Sequence, residues 1–118
     1  MDPITGLAAG RIAVGLVSFV SPGLAAKLFL LDSKANPGLP YMSRMFGSRE
    51  IALGALTLAS SGAARVRLVQ IGVAIDAGDA FTGIAAASTG ATSKKAGILL
   101  ALVAAGAVAS GVQGLQHS

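Results

Sequence analysis

Between residues 96 and 116 the chain carries no Asp, Glu, Lys or Arg. An uncharged apolar run of about 18 residues or more meets the usual criterion for crossing a bilayer, whereas a soluble helix of that length needs a polar face toward water. Shorter charge-free runs cover residues 12–26, 51–64 and 80–93, and only 12% of all residues are charged, about half the usual quarter. Four Phe, one Tyr, no Trp and 16 Gly make a large water-excluding core hard to assemble, because small side chains bury too little area to offset chain entropy. In lipid the same small residues let helices approach closely.

At 118 residues the chain reads as a single integral membrane domain, 1–118, with no linker and no room for a second core. Allowing one or two charges inside each segment, the pattern predicts an all-α fold, a four-transmembrane-helix bundle in up-down-up-down order. The helices are expected at about 4–21, 44–61, 66–88 and 96–114, each long enough to cross. Pro22 and Gly23 should break or kink the first, leaving residues 23–32 as an interfacial segment or a continuation. The turn-rich stretch DSKANPGLPYM predicts the longest loop, with Tyr41 at headgroup level. The chain begins with an acid where a secretory signal carries basic residues, so the first segment is expected to be retained.

A net charge of +4 raises the question of nucleic acid, but the bases sit at segment ends, where loop anchoring explains them better. Four Lys (Lys27, Lys34, Lys94 and Lys95) fall on one side, against Arg65 and Arg67 on the other. The loops at Lys34 and Lys94-Lys95 are therefore expected to be cytoplasmic, in the plasma membrane of the cell. RIAVGL near Arg11 and REIALGAL near Arg49 rhyme only with an insertion, so no internal repeat is assigned.

The chemistry lies in the charges inside the predicted spans. Gly72, Asp76, Asp79 and Gly83 follow an i, i+4, i+7, i+11 spacing, as do Glu50, Gly54, Thr57 and Ser61, and Arg11, Gly15, Ser18 and Pro22. A charge facing lipid costs several kcal/mol, so the three stripes should turn toward one another. The fourth helix offers a packing seam at Gly106, Ser110 and Gly114. Depth at about 1.5 Å per residue pairs Asp79 with Arg49 and Asp76 with Arg11. That leaves two cations for three carboxylates. Either Arg44 supplies a third from the loop edge, or one carboxylate holds a proton.

The charge-network or ligand-binding candidates are thus Arg11, Arg44, Arg49, Glu50, Asp76 and Asp79, with Asp76, Asp79 and Glu50 the candidate acids or bases. With no Cys and one His, His117, next to the C-terminal end, no metal or other cofactor site is expected, and no nucleotide signature occurs. Gly6 and Gly10 fit the small-xxx-small pattern for helix association. The sequence favours a structural or accessory membrane component. Two alternatives remain: a protein that binds or transforms a lipid-like molecule by acid/base chemistry in the bilayer, and a proton or ion carrier. The partners expected are membrane lipid, a lipid-like ligand, and a homo-oligomer or larger membrane complex.

The set Arg11 with Gly15, Pro22, Asn36-Pro37 through Tyr41, Arg44-Met45-Phe46-Gly47-Ser48-Arg49-Glu50 with Gly54, and Asp76-Ala77-Gly78-Asp79 resembles the domain-of-unknown-function 4267 family of small multi-span membrane proteins. The resemblance covers about residues 11–83. It implies an integral membrane protein, and no established activity comes with it.

Overall fold

The computed structural model describes residues 2–116, and among these every regular element is a helix. The order is α1 (Pro3–Val20), α2 (Pro22–Leu28), α3 (Leu39–Ala59), α4 (Gly62–Thr89) and α5 (Lys94–Gln116). His117 lies outside the described residues. Three of the helices, α1, α4 and α5, are long and apolar enough to cross a membrane. α3 has the length, with 21 residues, but is not among them.

Local chemistry accounts for the ends. Asp2 caps α1, its Oδ1 accepting from the Thr5 amide at 3.0 Å and its Oδ2 from the Thr5 hydroxyl at 2.7 Å, with Pro3 in the first turn. These bonds to Thr5 hold the Asp2 carboxyl below its ordinary range, with a lesser push in the same direction from Arg65. Gly90 ends α4 at φ +79°, the left-handed conformation that favours glycine. The close of α2 uses Leu30 at φ 59° instead, with the Leu31 amide reaching back to the Ala26 carbonyl at 2.8 Å.

Two expectations about the connections need correction. The helix expected to start near residue 44 begins at Leu39, because Pro40 falls in its first turn, where a missing N–H costs nothing. The segment expected at 23–32 is helical only over Pro22–Leu28. The long loop, expected over residues 32–42, correspondingly shifts to residues 29–38, and Tyr41 sits inside α3.

The long helices associate as two close pairs. α1 packs against α3 in antiparallel register: a Cβ on Gly15 would lie 2.7 Å from the Gly47 carbonyl oxygen, and one on Gly54 would lie 2.6 Å from that of Ala8. α4 packs against α5 in the same sense, with Gly83 facing Gly97 and Ala101. Thinner seams join the pairs, one between α1 and α5 where Gly114 meets Ile4, another between α3 and α4. Arg65 at the start of α4 adds a tie to the start of α1, bonding the Thr5 hydroxyl at 2.9 Å and Asp2 Oδ1 at 3.2 Å.

Polarity in this arrangement is reversed relative to a soluble bundle. The buried apolar residues are small, mostly Ala, with Ile4 and Val69 the largest, while Arg11, Glu50, Asp76, Ser18 and Thr57 are buried. Large apolar side chains point outward, Val20 at 73% and Phe81 at 74% exposure. Such an exterior would aggregate in water and matches hydrocarbon. The seam expected on the last helix holds at Gly114 only: Gly106 and Ser110 are exposed, and Gly97, Ala101, Ala104 and Gly111 complete the buried stripe.

Candidate functional site

Each predicted stripe supplies its charges to one cluster. Arg11, Gly15 and Ser18 are buried on α1, Glu50, Gly54 and Thr57 on α3, and Gly72, Asp76 and Gly83 on α4. The Arg11 guanidinium sits where the three helices meet. Its Nη1 donates to Glu50 Oε2 at 2.9 Å and to Asp76 Oδ1 at 3.0 Å, while Nη2 donates to Asp76 Oδ2. The bond to Asp76 is bidentate, the geometry in which Arg binds a carboxylate most strongly. Room for the fork comes from Gly72, one turn before Asp76, where a Cβ would lie 2.6 Å from Nη2.

Arg49 extends the network. Its Nη2 donates to Glu50 Oε1 at 3.2 Å and to Asp79 Oδ2 at 2.7 Å, so the charges alternate along one chain: Asp76, Arg11, Glu50, Arg49, Asp79. Arg49 Cζ stands 5.0 Å from the centroid of the Phe46 ring, a cation–π contact, and its Nε–H is buried without an acceptor among the described residues. The pairs Arg11 with Asp76 and Arg49 with Asp79 agree with the depth estimate. The sharing of Glu50 by both guanidinium groups went unseen. Arg44 does not enter: its Nε donates to the Phe19 carbonyl at 3.3 Å on the outside of the α1–α3 pair. Two guanidinium groups therefore face three carboxylates.

The cluster has two halves of different character. Arg11, Glu50 and Asp76 are buried, and every oxygen of the two carboxylates accepts a bond. In the outer half the side chains of Arg49 and Asp79 are 35% and 36% exposed, and Asp79 Oδ1 accepts from no described residue. Glu50, Asp76 and Asp79 each place one carboxylate oxygen within 4.8 Å of the others, a spacing compatible with a cation. The guanidinium groups already stand against these oxygens, which makes the inner half a clasp and leaves Asp79 the freest acid.

A groove of about 1320 Å³ opens beside the cluster, between the two helix pairs. It runs from Pro3 and Gly6 at one end to residues 29–32, 35–36 and 90–93 at the other. Arg11, Glu50, Asp76 and Asp79 lie partway along its wall, and the rest of its surface is chiefly apolar, including Leu7, Val14, Phe46, Leu100 and Val103. Gly6 and Gly10, which fit an association pattern in sequence, both line this groove.

No family model, curated protein or solved structure matches this chain.

Because Arg49 and Asp79 join α3 to α4 directly, they should be energetically coupled. The double charge reversal Arg49→Asp with Asp79→Arg is expected to regain about 1 kcal/mol over the sum of the two single losses, at the modest end for contacting residues since the pair is partly exposed. Thermal stability in detergent measures this. A double variant no better than the worse single would count against direct pairing.

Proposed function

We propose that this chain is a four-span integral membrane protein that holds a lipid-like amphiphile in the groove between its helix pairs, polar end against the charge cluster and tail along the apolar wall. The observation that carries the reading is the continuity of a large apolar groove with a charged patch inside the same helical unit. Its volume of about 1320 Å³ exceeds the roughly 300–1,000 Å³ typical of small-molecule pockets, as a chain-bearing ligand requires. α3 serves as the fourth span in this reading. Its 21 residues are about 31 Å long, and Arg49 and Glu50, which lower its apolar character, are paired toward the interior. The helices then run up-down-up-down. With Lys27, Lys34, Lys94 and Lys95 at one end, that end faces the cytoplasm of a cell with the protein in its plasma membrane. Membership in the domain-of-unknown-function 4267 family is part of the same proposal.

A Cβ at Gly10 would meet no atom within 4 Å, although Gly10 lines the groove. Gly10→Phe should therefore occupy the groove without disturbing the helix contacts. Native mass spectrometry of wild type is expected to show a retained lipid-sized mass after purification in mild detergent, with at least a tenfold loss of that mass in Gly10→Phe. Equal retention in both proteins, or none in wild type, would refute the reading.

The saturated clasp around Arg11 favours a second reading, in which the cluster fixes helix register and the protein is an accessory subunit of a larger membrane complex. Under it the groove is filled by a partner helix, and Gly10→Phe should release that partner in co-purification.

A further inference from the structure

We propose that the amphiphile taken by this groove has a cationic head, an ammonium on one or more alkyl chains, seated against Asp79. The inference rests on the groove being a binding site and goes on to its specificity. Charge is sorted sharply between the groove and the rest of the molecule. The chain has nine Lys and Arg against five Asp and Glu, net +4. Yet four of the five acids, Asp32, Glu50, Asp76 and Asp79, line the groove, and of the nine bases only Arg11 does. Arg11 is spent on Glu50 and Asp76. Asp32 turns its Oδ1 to its own backbone, accepting from the amides of Lys34 at 3.0 Å and Ala35 at 3.2 Å. What remains facing the groove is Asp79, its Oδ2 held by Arg49 at 2.7 Å and its Oδ1 unoccupied among the described residues, the third carboxylate of a cluster with two guanidinium groups.

An anionic head, phosphate or carboxylate, would meet the Asp79 carboxylate and would find no free guanidinium or ammonium on the wall. A hard divalent ion needs six or more oxygen ligands, and the oxygens of Glu50 and Asp76 are committed to guanidinium N–H groups. A singly charged organic ammonium needs only one such carboxylate. The apolar wall from Val14 to Val103 suits the alkyl chain attached to it. In a region of low dielectric the attraction of Asp79 for such a head exceeds its value in water.

Four probes separate the parts of this proposal when added to the full-length protein in an uncharged detergent: tetradecyltrimethylammonium, tetradecyl sulfate, tetradecanol and tetramethylammonium. Binding is read by isothermal titration calorimetry below the aggregation limit of each probe. The tailed ammonium should bind at least tenfold more tightly than the sulfate, the alcohol or the tailless ammonium. The +4 charge of the chain acting at long range would favour the sulfate, so this order points to the groove. Asp79→Asn should reduce the ammonium to the affinity of the alcohol and leave the alcohol unchanged. Equal binding of all three tailed probes would overturn the cationic specificity and leave the groove reading standing. Tetramethylammonium binding as tightly as the tailed ammonium would overturn the amphiphile. Failure of every tailed probe to bind would remove the groove reading itself. Should Asp79→Asn not fold, the ranking on wild type alone decides, with Asp79→Glu expected to keep it.

Discussion

Arg11→Met is expected to cost about 3–5 kcal/mol, enough to unfold the protein or abolish its purification in detergent, because it leaves Glu50 and Asp76 buried on neighbouring helices with no charge between them. Arg11→Lys should fall between: a point charge meets one carboxylate well but cannot reproduce the bidentate fork on Asp76 while also reaching Glu50. The control is the combined variant Arg11→Met, Glu50→Met, Asp76→Leu. Replacing a whole buried ion set by apolar groups is often neutral or stabilising, so this variant should recover most of the loss. Circular dichroism melts of the three proteins in one detergent make the comparison. If Arg11→Met alone melts like wild type, the clasp contributes little and the structural share of the cluster has been overstated.

The second large effect is steric. Gly15 and Gly47 stand back to back where α1 crosses α3. A Cβ on Gly47 would lie 2.6 Å from the Gly15 carbonyl oxygen and 2.8 Å from the Phe19 nitrogen. Both obstacles are backbone, so no rotamer relieves them and the helices must separate. Gly47→Ala should cost about 1–3 kcal/mol, the usual toll of overpacking, despite the better intrinsic helix propensity of Ala. Gly78→Ala is the matched control: nothing lies within 4 Å of its Cβ, and it should be neutral or gain up to about 1 kcal/mol. The damage at Gly47 also spreads. Glu50 sits one turn further along α3, so moving that helix pulls a carboxylate off Arg11. Thermal midpoints of the two alanine variants, measured side by side, should diverge by several degrees, and equal midpoints would mean the crossing is looser than drawn.

Much of the interior could be read beforehand because polar residues at helical spacing in an apolar chain have only one favourable direction to face. Arg11, Glu50 and Asp76 obeyed that constraint, and simple rise arithmetic placed Arg49 level with Asp79 and Asp76 within a long side chain's reach of Arg11. Arg44 escaped because it was counted by depth alone. It lies five residues before Arg49, about 140° around the helix, so it emerges on the other side and bonds the Phe19 carbonyl. On α5 only Gly114 of the expected seam is buried, for a different reason. Where Gly, Ala and Ser occupy nearly every turn, spacing cannot select a face, and only contact with Gly83, Val73 and Ile4 singles out Gly97, Gly111 and Gly114. The size and apolar wall of the groove are encoded by no single segment: they exist only through how the α1–α3 pair stands against the α4–α5 pair.

The Arg11 clasp also bears on how such a chain is made. Arg11 precedes Glu50 by 39 residues and Asp76 by 65. In the four-span reading proposed above, the first helix presents a cation to the bilayer before either partner has been made, at about 2.5–3.5 kcal/mol, a cost that the arrival of α3 and α4 offsets. The guanidinium that joins three finished helices is thus, in that reading, the least favourable residue of the first helix to be made.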